Sequence, residues 1–337
     1  MSAEPINVVV SFPSGAPMIL NEKYRDQIRA VSPRIKLHEA AELVSAEKNG
    51  DSRAREQLNA MLAEADVFYG FTHPNNLISR APKLKWIQAP LAGVDPYLTQ
   101  ELVDSQVVVT KAKIHERQIS ETIFTFILML ARKSLTHFRA QQCKEWERIV
   151  PTVLHKKTLG ILGLGNIGQA TARIAKAFGM RVIATKAHPE GRFVNVDKLL
   201  PSNGFREVLA QSDFVVILLP LTPETKNLIG EAELRLMKPT AYLVNVSRGG
   251  VVDETALIRA LSENWIAGAG LDVFTTDPGP LPADSKFWDL PNVILTPHNA
   301  GPRGDYMELL NRQFCQNLRR FIDGRELIGV VDKKLRY

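Results

Sequence analysis

The chain has 337 residues, of which 45% are hydrophobic and 23% charged. That composition excludes a disordered or fibrous protein and leaves room for two domains, each burying its own core. The formal net charge of +6 comes from basic residues scattered along the sequence without a dense basic run, which argues against a nucleic-acid partner. Cys143 and Cys315 stand far apart and outside any CxxC or Cys/His cluster, so neither a disulfide framework nor a metal site is expected, and a reduced cytoplasmic compartment fits.

In chain order, MSAEPINVVVSF carries an acid early and lacks a basic segment followed by a long apolar core. It therefore reads as a first strand rather than a signal peptide. ADVFYGF, LKWIQAP and VVVT at 107–110 follow, with helix-patterned stretches between them, an alternation that predicts α/β architecture with parallel strands. An uninterrupted helical region from about Ile119 to Arg148 is expected to connect this series to a second. Its most apolar part, IFTFILMLA at 123–131, is bounded by Glu121 and Arg132 and falls short of the about 20 residues a membrane span needs. A helix buried between domains or subunits is the expectation, with no membrane partner.

The second series runs through TLGILGLG at 158–165, RVIAT, DFVVILLP, AYLVNVS, AGAGLDVF and NVILTPH. Near-continuous apolar strands of this kind suit a sheet covered on both faces. From about Arg303 to Asp323 the spacing of Leu309, Leu310, Phe314, Leu318 and Phe321 predicts a last helix.

Gly163, Gly165 and Gly168 form G-x-G-x-x-G directly after a strand and directly before the helical QATARIAKAFG. In that setting the first glycine permits a tight turn, the second lets a pyrophosphate approach the backbone, and the third lets helix and strand pack closely. The phosphates would rest on unpaired N–H groups from about Asn166 and Ile167. The competing reading is a glycine-rich turn without a ligand. After the next strand, RVIAT, comes Lys186, near the place where NAD-binding folds put an acid on the ribose 2′-hydroxyl. A cation there would attract a 2′-phosphate, which points to NADP(H) over NAD(H), with Lys186 as the phosphate partner and His188 as a helper. A solvated lysine in an NAD enzyme is the alternative.

Three polar interruptions end strands of the second series: Arg248 in VNVSRGG, Asp272 and Asp277 in GLDVFTTDP, and His298 in LTPHNAG. In an open α/β sheet the ligand crevice lies at these strand ends. An arginine fork suits a substrate carboxylate, and a histidine exchanges protons near neutral pH when a carboxylate such as Asp277 orients it. Singly, each residue could be an ordinary turn residue; their order behind a dinucleotide loop is what joins them.

With these motifs in view, the sequence resembles the D-isomer-specific 2-hydroxyacid dehydrogenase family, glyoxylate and hydroxypyruvate reductases included. The matching stretches are LGILGLGNIGQATARIAKAFGMRVIA, ILLPLTPETKNLIG, LMKPTAYLVNVSRGGVVDETAL, AGAGLDVFTTDP and NVILTPHNAG, with a weaker match at LKWIQAPLAGVD. The resemblance implies two doubly wound parallel-sheet domains. A Rossmann cofactor domain, residues 113–299, would be inserted in a flavodoxin-like catalytic domain made of residues 1–112 and 300–337, so the last helix should return to the first domain. It implies a homodimer with ISETIFTFILML at the subunit contact. It makes Arg248 the substrate-binding arginine, His298 the proton donor and Asp272 a contact of the nicotinamide end. Leu219, Pro220 and Val246 join the glycine loop as cofactor residues, and backbone N–H groups around Ala92, Gly93 and Val94 would bind the substrate carboxylate.

Two departures stand out. Asp277 replaces the family's usual glutamate and is one methylene shorter, so a looser contact would support the histidine less. Lys186 stands where NAD-dependent members carry aspartate. The expected reaction is reduction of a small 2-oxo acid to a D-2-hydroxy acid. The competing readings are a dehydrogenase for another small anion on the same fold and a non-catalytic dinucleotide sensor. Phe12, His73, Leu91, Lys111, His115 and Trp288 are candidate pocket residues, although such residues more often simply pack.

Overall fold

All ten apolar runs contain a strand, and two further strands join them at sheet edges. The computed structural model describes residues 4–13, 18–94, 97–301 and 304–335. Arg303, where the sequence places the start of the last helix, and the first three residues of the N-terminal stretch lie outside them. The chain divides into two compact units, Met1–Ile114 with Arg303–Tyr337, and His115–Pro302.

In the first unit β1 (Ile6–Ser11), α1 (Glu22–Arg29), β2 (Ile35–Glu39), α2 (Ala41–Lys48), α3 (Ser52–Ala63), β3 (Val67–Gly70), α4 (Leu77–Arg80), β4 (Trp86–Gln88), α5 (Gln100–Asp104) and β5 (Val108–Thr110) follow one another. Every strand pair is parallel, in the order β2-β1-β3-β4-β5, the flavodoxin-like doubly wound arrangement. In the second unit α6 (Glu116–Ala131) and α7 (Ser134–Cys143) precede β6 (Thr158–Leu162), α8 (Asn166–Ala177), β7 (Arg181–Lys186), β8 (Lys198–Pro201), α9 (Phe205–Gln211) and β9 (Phe214–Ile217). Then come α10 (Glu231–Leu234), β10 (Tyr242–Asn245), α11 (Glu254–Ser262), β11 (Gly268–Leu271) and β12 (Val293–Leu295). Its parallel order β12-β11-β10-β9-β6-β7-β8 is the Rossmann order with one more strand at the β12 edge.

Strand alternation divides the second unit's core into two layers. Val215 and Ile217 of β9 join Leu243, Leu257 and Leu261 on one face. Phe214 and Val216 join Ile123, Phe126, Ile127 and Ala172 on the other. The apolar helix α6 is therefore buried on its own unit's sheet, with Ile123 at 0% and Phe126 at 1% exposure. Within ISETIFTFILML the face carrying Ile123, Phe126 and Ile127 is covered by this sheet, while Glu121 and Thr125 are exposed and Thr122, Leu128 and Met129 are half-buried. The helical region is also interrupted, because Lys133 takes a left-handed conformation at φ 57° between α6 and α7. No helix among the described residues is long and apolar enough to cross a membrane.

The last helix, α12 (Tyr306–Ile322), packs on the first unit's sheet, where Phe314 stacks on Tyr69 at 3.9 Å between ring centroids. A buried polar chain fixes its register. Trp86 Nε1 donates to Thr110 Oγ1 (2.7 Å), Thr110 Oγ1 to Gln88 Oε1 (2.9 Å), and Asn317 Nδ2 to the same Gln88 oxygen (3.1 Å). Leaving any of these buried groups unpaired would cost about 1–3 kcal/mol, so the docking is specific as well as apolar.

One device recurs at the N-terminal ends of strands. Asp66, Asp197 and Asp213 accept the backbone N–H of Asn7, Val182 and Thr158 on the neighbouring strand. Each also pairs with a lysine: Lys85, Lys176 and Lys238. Each of these strand N–H groups would otherwise be an orphan donor. Burial alone would push the Asp197 carboxyl up, but the Val182 N–H and the Lys176 ammonium hold it below its ordinary value.

Candidate active site

In an open doubly wound sheet the ligand lies beyond the strands' C-terminal ends where the order reverses. Here that point is between β6 and β9. The glycine loop sits there, and its three glycines do different things. Gly163 has φ +104°, and a Cβ on it would lie 2.7 Å from the Leu218 carbonyl oxygen; one on Gly168 would lie 2.7 Å from the Gly163 carbonyl oxygen. Both are required by the protein's own packing. Gly165 is not: its φ is −88°, and nothing lies within 4 Å of where its Cβ would be.

Gly165 is also the N-cap of α8 and supplies no side-chain cap. The exposed start of the helix, at Gly165 and Asn166, with Ile167 half-buried, thus offers N–H groups and the positive end of the helix dipole to an anion. These residues fit a dinucleotide pyrophosphate. Leu219 and Pro220, partly exposed, follow β9 beside Gly163. Val246 is 8% exposed and packed into the core.

Lys186 is the last residue of β7 rather than the first residue of the following loop. Its Nζ donates to the Leu164 carbonyl oxygen at 3.4 Å, next to the glycine loop, and lies 5.8 Å from the centre of the Phe193 ring. His188 is exposed on the segment beyond.

The loop after β12 carries His298 with φ 54°, a conformation uncommon for a residue with a side chain. Asp272 holds it there. This carboxylate is 1% exposed; it accepts from Thr296 Oγ1, from the Asn299 N–H at 2.7 Å and from the Ala300 N–H at 2.9 Å. The His298 N–H donates to the Asp272 carbonyl oxygen at 2.8 Å. The carboxylate is thus engaged by the histidine loop. A negative charge buried with three donors is strongly held, so the strained backbone is over-determined.

His298 Nδ1 faces Asp277 Oδ2 at 3.4 Å, with the histidine side chain 50% and the aspartate 22% exposed. The shorter aspartate does reach the ring, at a distance beyond a firm N–H···O bond. The same Asp277 oxygen accepts the Phe274 N–H at 3.0 Å. Glu254, at the start of α11, grips this loop through the Thr275 N–H (2.6 Å) and Thr275 Oγ1 (2.8 Å). Arg248 is half-buried; its Nη1 donates to the Ser247 carbonyl oxygen at 2.7 Å, while Asn245 Nδ2 donates to the Arg248 carbonyl oxygen at 3.0 Å. Gly249, next to it, packs backbone to backbone on Phe274, which ties the arginine turn to the Asp277 loop. Arg248, Asp277 and His298 thus all stand on the C-terminal side of one sheet, on loops held by backbone contacts, by the buried Asp272 carboxylate and by the partly exposed Glu254 carboxylate.

In the first unit Ala92 and Gly93 are partly exposed and Val94 is buried. Two contacts pin the loop after β4: Tyr306 Oη donates to the Pro90 carbonyl oxygen at 2.6 Å, and the Ala112 N–H to the Leu91 carbonyl oxygen at 3.0 Å. Tyr97 Oη donates to the Gly70 carbonyl oxygen. Burial pushes both phenols well above their ordinary value, so they remain neutral donors. Among the pocket candidates, Phe12 is 7% exposed and edge-on to Tyr69 and Phe71, a packing residue. His73 lies 5.0 Å from the Tyr97 ring, His115 is 5% and Trp288 55% exposed; Leu91 and Lys111 are partly exposed.

Sequence reasoning did not single out Thr296, Glu254 or Phe193. Each acts on a residue distant in sequence or across a loop, and no local spacing marks it.

Residues 124–300 match the family model described as D-isomer specific 2-hydroxyacid dehydrogenase, NAD binding domain. The chain is 36% identical over 271 residues to a glyoxylate reductase from Thermococcus gammatolerans, covering 77% of this chain and 79% of the relative. Among solved structures it is similar to a D-isomer specific 2-hydroxyacid dehydrogenase from Xanthobacter autotrophicus in complex with NADPH and MES (TM-score 0.83, 29% identity, 99% of this chain and 100% of that one). It is also similar to an NADPH-dependent glyoxylate/hydroxypyruvate reductase from Sinorhizobium meliloti in complex with NADP and sulfate (TM-score 0.81, 27% identity, 98% and 100%). With the glycine loop, the fold and these likenesses together, the chain belongs to the D-isomer specific 2-hydroxyacid dehydrogenase family and is an NAD(P)-dependent oxidoreductase.

Proposed function

We propose that the chain reduces a small 2-oxo acid, of the size of glyoxylate or hydroxypyruvate, to the D-2-hydroxy acid, with NADPH preferred over NADH. The observation that carries this reading is the His298–Asp277 pair, held at the C-terminal ends of the sheet whose first turn is open to a dinucleotide. The names of the Thermococcus and Sinorhizobium relatives support the substrate class.

A bound nicotinamide supplies the hydride. With Nδ1 turned to Asp277, His298 presents Nε2 as the atom that delivers the proton to the carbonyl oxygen, and Asp277 stabilises the ring while it carries that proton. The Arg248 guanidinium pairs with the substrate carboxylate and draws charge from the carbonyl. In the first unit, the backbone N–H groups of Ala92, Gly93 and Val94 are of the kind that binds a carboxylate. Lys186, with His188 beyond it, supports the NADPH preference by charge.

A homodimer and a cytoplasmic location belong to the same reading. Beyond α6, the surface a second copy would cover includes the exposed apolar side chains Phe138, Trp146, Val150 and Val153, at 55%, 96%, 89% and 64% exposure. Exposed apolar groups this close in sequence mark an interaction surface, and sedimentation of the wild type beside Trp146→Ser tests it.

The deciding experiment is kcat/KM across a panel of 2-oxo acids with NADPH and with NADH. Turnover of glyoxylate or hydroxypyruvate, faster with NADPH, is expected. Activity only with another small anion, or tight dinucleotide binding without any turnover, would replace this reading.

A further inference from the structure

We propose that Phe193 is a specificity-determining residue for the cofactor's 2′-phosphate, acting by seating the Lys186 ammonium; this rests on the NADPH reading above. Lys186 ends β7, and a lysine there would ordinarily sample many rotamers in water. Here the ammonium is held on two sides. The Leu164 carbonyl oxygen takes one N–H at 3.4 Å, and the Phe193 ring lies 5.8 Å away by its centre, within cation–π range.

The ring is itself anchored. Phe193 is partly buried against the apolar layer that contains Val182 and Ala184 of β7, and its carbonyl oxygen accepts the Val196 N–H at 3.1 Å in a turn. The exposed neighbours Arg192 and Val194 have no such anchorage in the core. An ammonium carries three donors. With one directed to Leu164, two remain for an anion beside the glycine loop, and the ring keeps the charge from drifting into solvent. Pre-organisation of this kind raises affinity by removing an ordering cost at the moment of binding.

The consequence is specific to one phosphate. Adenosine 2′,5′-bisphosphate and 5′-AMP differ only in that group, so the ratio of their dissociation constants, measured by titration calorimetry on the full chain, isolates it without turnover. Wild type should prefer the bisphosphate. Phe193→Leu keeps an apolar side chain without a π face and should lower that preference about two- to fivefold, the size of one cation–π contact. Phe193→Tyr, which keeps the ring, should retain it, and Lys186→Ala should lower it further than Phe193→Leu. A wild-type ratio in Phe193→Leu beside a reduced one in Lys186→Ala would overturn the role of Phe193 while leaving the NADPH reading standing. Equal losses in the leucine and tyrosine variants would overturn it too, because packing alone would then explain both. No preference in the wild type would overturn the NADPH reading and this inference together.

Discussion

The loop that carries His298 and the strand end that carries Lys186 belong to the same sheet, yet they are held in different ways. His298 sits in a strained backbone conformation clamped by a buried carboxylate with three donors. Lys186 is held by one long hydrogen bond and the face of a ring. In the proposed reaction a proton is delivered to one atom in one geometry, and rigid clamping suits a histidine with that task. The proposed partner of Lys186 is a phosphate, which has three equivalent oxygens and tolerates small displacements, so a lysine acting as a point charge would suffice there.

That contrast predicts all-or-none behaviour at one loop and graded behaviour at the other. His298→Ala should lower kcat by about 10²–10⁴-fold, the range for loss of a general acid, while NADPH affinity by fluorescence titration stays near wild type; turnover near wild type would remove the histidine from the reaction. Asp272→Asn should be next. It places an amide N–H₂ or a weaker acceptor against donors that now meet a carboxylate, and should cost about 1–3 kcal/mol in urea unfolding as well as turnover. A variant with full stability and full kcat would show that the clamp is dispensable.

Lys186→Ala should reduce the kcat/KM ratio of NADPH to NADH about tenfold, equivalent to about 1.4 kcal/mol, with the rate in saturating NADPH little changed. At the glycine loop, Gly165→Ala should leave the melting temperature unchanged, because its φ suits alanine and its Cβ would meet nothing. Dinucleotide affinity should nevertheless fall, because the pyrophosphate must approach that backbone. Equal affinity in the two proteins would place the phosphates elsewhere. The smallest effect is expected from Asp277→Glu: one more methylene can close the 3.4 Å contact to a firm hydrogen bond, worth about threefold in turnover. An unchanged rate would mean that the shorter side chain already suffices.

The residues hardest to find in the sequence were those that act across it. β2 and β8 escaped because they are edge strands with mixed burial, IKLHE and KLLP, and so lack the continuous apolar run of a strand covered on both faces. The break between α6 and α7 falls at Lys133, with no glycine or proline to announce it. The apolar stripe of α6 was plain, but periodicity says that a face is buried and not what buries it. Its partner proved to be its own sheet. Likewise Asp272 was visible as a motif residue of the resemblance, while the direction of its carboxylate depends on a loop 24 residues or more further on.

By itself the sequence determined the α/β class, the two series of strands and the glycine loop with its helix, and it offered Arg248, Asp277, His298 and Lys186 as candidates for the chemistry. These are properties of contiguous residues: hydrophobic period, turn chemistry and side-chain type. Only the tertiary structure decided what each group touches. Gln88 and Asn317, 229 residues apart, dock the last helix; Asp272 clamps the histidine; Phe193 lies beside the lysine. Such contacts form because a buried donor, carboxylate or ring must find a partner wherever the fold brings one, and a local pattern carries no record of that distance.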